Sequence, residues 1–82
     1  MDPEERQQKL DRLQACKAMG EKAYDAMYEA RSFSDASARY SDAKEAFYDA
    51  ISLANELGLA EESKALSQRL EHIKSVFRSQ FS

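Results

Sequence analysis

Apolar residues recur along this chain at alternating spacings of three and four, in three separate runs. The most regular is Ala36, Tyr40, Ala43, Phe47, Ala50, Ala54 and Leu57. Residues so spaced share one face of an α-helix. Two aromatic rings alternate there with four alanines, so a neighbouring backbone can come close wherever the side chain is only a methyl group. Ile51 and Leu53 lie off this stripe and widen it, as a helix touched on two sides requires. Upstream, Leu13, Cys16, Gly20, Ala23, Met27 and Ala30 form a second stripe, with Leu10, Met19, Tyr24 and Tyr28 beside it. Downstream, Leu66, Leu70, Ile73 and Phe77 form a third, with Phe81 near its end.

The residues between the stripes set the boundaries. Asp2 can cap a helix, Pro3 suits its first turn, and Glu5 stands where it can close a capping box. The first helix is expected over residues 3–31. Its opening turns, Glu4 to Lys9, carry no apolar side chain and are expected to project into solvent. Gly20 lowers helix propensity, which points to close helix packing or a kink at that position. Ser32, Ser34 and Asp35 favour caps over helix interiors; a loop is placed at 32–34 with Ser34 as cap and Phe33 as a hydrophobic staple. The second helix is expected over 35–57. Gly58 follows its last periodic residue, the position of a left-handed C-terminal cap. The third helix is expected over 60–80. It begins with Glu61 and Glu62 and ends with Lys74 and Arg78, charges matched to the helix dipole.

Connections this short force each helix back against its neighbour. The expected architecture is one all-α domain, an antiparallel up-down-up three-helix bundle with the second helix in the middle. Composition agrees. The 82 residues hold one Val, two Ile, no Thr, two Gly and one Pro, too few β-branched and turn residues for strands. A chain of this size buries only roughly 60% of its extended surface, so a partner or a second copy would add to its stability.

Composition also excludes functions. A net charge of −3 and a pI near 5.1 argue against nucleic acid, whose recognition runs on clustered Lys and Arg. Lys64, Arg69, Lys74 and Arg78 are interleaved with Glu61, Glu62 and Glu71 and read as a solvated face. No apolar run approaches the about 20 residues that span a bilayer. The acidic N-terminus is unlike a signal peptide, and the single cysteine excludes an internal disulfide. A cytoplasmic protein is expected.

The second helix carries a family resemblance. Tyr40, Ala43, Phe47 and Ala50, followed by Ala54-Asn55-Glu56-Leu57-Gly58, resemble the second helix of a tetratricopeptide repeat. Met19-Gly20 with Ala23 and Tyr24 is loosely similar to the first helix of that repeat. Gly20 and Ala43 are further apart than in a standard repeat, and the chain holds a single copy where an array needs about three. Arg69-Leu70-Glu71-His72-Ile73-Lys74 is more faintly similar to the third helix of the microtubule-interacting-and-trafficking domain. Both resemblances imply binding of peptides or helices in grooves between helices, as a fold-level analogy.

Catalytic groups are scarce. Cys16 and His72 are the only thiol and imidazole. Cys16 lies on an apolar stripe, where a cysteine is commonly a small hydrophobe, and two such groups are too few for a zinc site. Helix-start charge accounts for Glu4-Glu5 and Glu61-Glu62. No enzymatic activity, cofactor or metal is expected.

The aromatic residues are the better clue. Of eight rings, Tyr24 and Tyr28 lie one turn apart beside the first stripe, and Tyr48 lies off the second. The expected function is a small protein-interaction module. It would bind a peptide or helix in a groove between helices one and two, through Tyr24, Met27, Tyr28 and Tyr48. The alternative is a self-assembling structural protein, a homodimer paired through the first helix.

Overall fold

The computed structural model describes residues 1–81. Three helices run antiparallel in sequence: α1 Pro3–Tyr28, α2 Phe33–Glu56 and α3 Ala60–Phe81. The all-α, up-down-up three-helix bundle is the fold. α2 packs closely against α1 on one side and α3 on the other. α1 and α3 meet chiefly through long side chains, which leaves a flat molecule of 45 × 18 × 12 Å.

Each helix end has a local cause. Asp2 accepts a hydrogen bond from the Glu4 amide at 3.3 Å, while Glu5 turns to Lys9, 3.7 Å away, rather than back to close a capping box. α1 stops at Tyr28, short of the expected residue 31. The Glu29 amide still bonds the Asp25 carbonyl at 3.2 Å, but the Ala30 amide turns to the Met27 carbonyl at 3.2 Å, tightening the last turn. Ser32, not Ser34, caps α2: its hydroxyl accepts from the Asp35 amide at 3.1 Å. Asp35 is then the third residue of the helix, where its own amide is the one capped and its carboxylate lies at the positive end of the helix dipole. Phe33 then falls inside the helix, and its ring meets Phe77 at 6.1 Å instead of stapling the entry from outside.

At the other end of α2 the chain does what Gly58 foretells. Gly58 adopts φ +72°, its amide reaches the Asn55 carbonyl at 3.1 Å and the Leu59 amide the Ala54 carbonyl at 2.9 Å. That pair of bonds is a Schellman cap. Leu59 folds back onto the core.

The core runs through all three helices: Leu13 from α1, Phe47, Ala50, Leu53 and Ala54 from α2, and Leu66, Leu70 and Ile73 from α3, with Leu57 at the turn. Gly20 lets α1 and α2 approach: a Cβ there would lie 2.6 Å from the Phe47 ring. Close packing, not a kink, is its role. The opening turns of α1 are exposed to solvent through Gln8, as expected, but they are tethered. Arg6 donates to the Leu57 carbonyl at 3.2 Å and Lys9 reaches Glu56 at 3.2 Å, so polar contacts tie this segment to the α2–α3 turn.

Ionic bridges span α1 and α3. Lys17 meets Glu62 at 2.6 Å, and Arg69 grips Glu21 with two bonds of 2.8 and 2.7 Å. Arg69 holds the Glu21 carboxyl below the usual carboxylate range, against a smaller opposing effect of burial. A carboxylate depressed in the folded state stabilises above its unfolded pKa, and that contribution disappears as pH falls through the folded value. Both side chains are at least 40% exposed, so solvent screening limits the bridge to about 0.5–1 kcal/mol. Arg69→Gln should cost about that much at neutral pH and less once acid has protonated Glu21, when only the contact of Arg69 with the Tyr24 ring is left to lose. Urea midpoints at the two pH values test this; an equal loss at both would exclude the ionic account.

Candidate functional site

Two further stripes at spacings of three, four and three line a groove between α1 and α2. Cys16, Met19, Ala23 and Ala26 supply one wall; Arg39, Asp42, Ala46 and Asp49 supply the other, joined by Lys22 and Glu45. On α1 the residues that reach α3 are Lys17, Glu21 and Tyr24. They stand on the opposite side of the α1–α2 seam from Cys16, Met19, Ala23 and Ala26. The groove therefore opens on the side that α3 leaves uncovered.

Its shape follows from side-chain size. Ala23, Ala26 and Ala46 carry only methyl groups, so the floor is recessed between two closely packed backbones. Met19 stands at the lip with 63% of its surface exposed. The groove is open and offers about 470 Å³, within the usual range of ligand sites.

The electrostatics differ between the walls. α2 presents Asp42, Glu45 and Asp49; α1 presents Lys22. Arg39 pairs with Asp42 at 3.3 Å. Burial, followed by the charge of Asp49, raises the Cys16 thiol pKa, with Arg12 opposing. Cys16 is thus a protonated wall residue at neutral pH rather than an activated nucleophile.

The residues expected to form the site do not line this groove. Met27 is fully buried, a core residue of the same stripe as Leu13 and Gly20. Tyr24 is half-buried on the α3 side, 6.4 Å from the His72 ring, with the Arg69 guanidinium 5.0 Å over its face. Tyr28 meets Tyr24 edge-on at 6.2 Å and is exposed. Tyr48 is exposed too, but its hydroxyl accepts a hydrogen bond from Lys74 of α3 at 2.8 Å. Tyr24 and Tyr28 are brought together; Tyr48 stands with α3 instead.

Compared with known protein families, curated proteins and solved structures, the chain matches none. Function must be read from its own geometry. Cys16 faces the groove and His72 lies against Tyr24 at α3, so the two are on different sides of the bundle. Among the described residues no group of three or more His, Cys, Asp or Glu side chains could hold a metal ion, and no helix is long and apolar enough to cross a membrane.

The groove had a signal in the sequence. Cys16, Met19, Ala23 and Ala26 match Arg39, Asp42, Ala46 and Asp49 in spacing, and the alanines in both mark a shallow seam.

Proposed function

We propose that this protein is a small interaction module that binds an α-helix of a partner protein along the α1–α2 groove. The observation that carries the reading is the recessed alanine floor beside an exposed Met19, on the side away from α3. A helix with large apolar side chains fits such a floor, because ridges of one helix seat in grooves of others. It would also remove Met19 from water. A second copy fits less well. Two alanine floors face to face leave a void, and voids forfeit packing contacts.

The likeness of α2 to a tetratricopeptide helix supports the reading as analogy: such hairpins present grooves between helices. A cytoplasmic setting suits a lone thiol that stays reduced.

A photoreactive side chain placed at Met19 tests the reading, with the same group at Ser67, exposed on α3, as control. Crosslinking in cells followed by peptide sequencing should recover an amphipathic helical segment of another protein from Met19 and not from Ser67. Equal capture at both positions would sink the proposal. Capture of a second copy alone would replace it with the homodimer.

A further inference from the structure

The walls of the groove are of opposite sign, and this gives its occupant a chemistry. The inference rests on the groove reading above and adds the partner's charge and its seating. On the α2 wall Asp42, Glu45 and Asp49 stand in a row. Asp42 shares Arg39, whereas Glu45 and Asp49, one helical turn apart, make no ion pair or hydrogen bond among the described residues. Opposite them Lys22 of α1 is also without an intramolecular partner among the described residues.

An acidic or neutral helix seated here would leave these carboxylates beside apolar surface with nothing to compensate them. A nucleic-acid phosphate would meet like charge. We infer that the α1–α2 groove takes a basic amphipathic helix, its apolar stripe on Ala23, Ala26, Ala46 and Met19 and its cationic edge over Glu45 and Asp49. Any acidic residue on the other edge then faces Lys22. Opposite signs on the two walls also select one seating over its reverse, since like charges brought together suppress the wrong one. The field of Asp49 already reaches across the groove, where it disfavours ionisation of the Cys16 thiol.

The test uses the intact chain and a displayed library of helices of about four turns. The library has a fixed leucine seam, with Lys, Glu, Gln or Ser allowed elsewhere. Selected helices should carry Lys along one edge. Synthesised free, one of them should bind about tenfold tighter than its Lys-to-Glu counterpart, with the preference fading in high salt. Glu45→Lys with Asp49→Lys should invert the preference; both positions are exposed, so the fold is expected to tolerate them. Met19→Ser should weaken binding of either peptide. Selected helices with neutral or acidic edges that still depend on Met19 would overturn the charge inference and leave the groove reading standing. If no selected helix depends on Met19, the groove reading falls with it.

Discussion

Gly20→Ala is expected to destabilise the protein by about 1–2 kcal/mol, although alanine is the better helix former. The new methyl carbon would lie 2.6, 2.8 and 3.0 Å from three carbons of the Phe47 ring, closer than carbon atoms pack. The ring cannot easily turn aside, because Phe47 is 1% exposed and packed in the core. Overpacking of this kind costs about 1–3 kcal/mol, and the helix-propensity gain of about 1 kcal/mol offsets only part of it. Urea unfolding of the two proteins measures the difference. Phe47→Leu in the Gly20→Ala background should reduce the penalty, a coupling expected of residues in direct contact. An alanine variant more stable than the parent would mean that α1 and α2 do not meet closely at this point.

The second large effect is at the other seam. Ile73→Ala should lose about 2–4 kcal/mol, the usual cost of emptying a buried isoleucine site. Ile73 is fully buried, and with Leu66 and Leu70 it supplies the buried side chains that dock α3. Val76→Ala, at a half-buried position, should cost under about 1 kcal/mol. A domain this small has only several kcal/mol in total, so the Ile73 variant should melt well below the parent in calorimetry. Equal losses for the two variants would show that α3 is not anchored through its Leu66–Leu70–Ile73 stripe.

How much of this was legible beforehand differs by residue. The helix count, the bundle and the central place of α2 follow from apolar spacing and two short connections. Gly58 was readable because a left-handed residue at a helix end has essentially one chemical solution. The α1–α2 boundary was not, since Ser32 and Ser34 are equally good caps in isolation. The choice turns on where Asp35 falls in the first turn. Periodicity also placed Met27 on the best stripe of α1, and there Leu13, Gly20 and Met27 are core while Cys16 and Ala23 edge the groove.

The groove was harder to see. Spacing assigns residues to faces of one helix, but it does not say on which side of the α1–α2 seam a third helix will lie. With α3 beside Tyr24 and Tyr48, the open side falls to Met19, Ala23, Ala26 and Ala46. The family-like residues could not decide this either. Ala43, Phe47 and Ala50 are buried, so they report packing, and the binding surface lies beside them.

Methyl NMR tests most directly whether the α1–α2 groove seats a partner helix. A helical peptide recovered by Met19 crosslinking or by selection is titrated into protein carrying labelled Ala and Met methyl groups. Met19, Ala23, Ala26 and Ala46 should shift in concert and saturate together, while Ala60 and Ala65 of α3 stay still. Shifts confined to α3 or to the Tyr24–Tyr28 side, with the groove methyl groups unmoved, would contradict that seating.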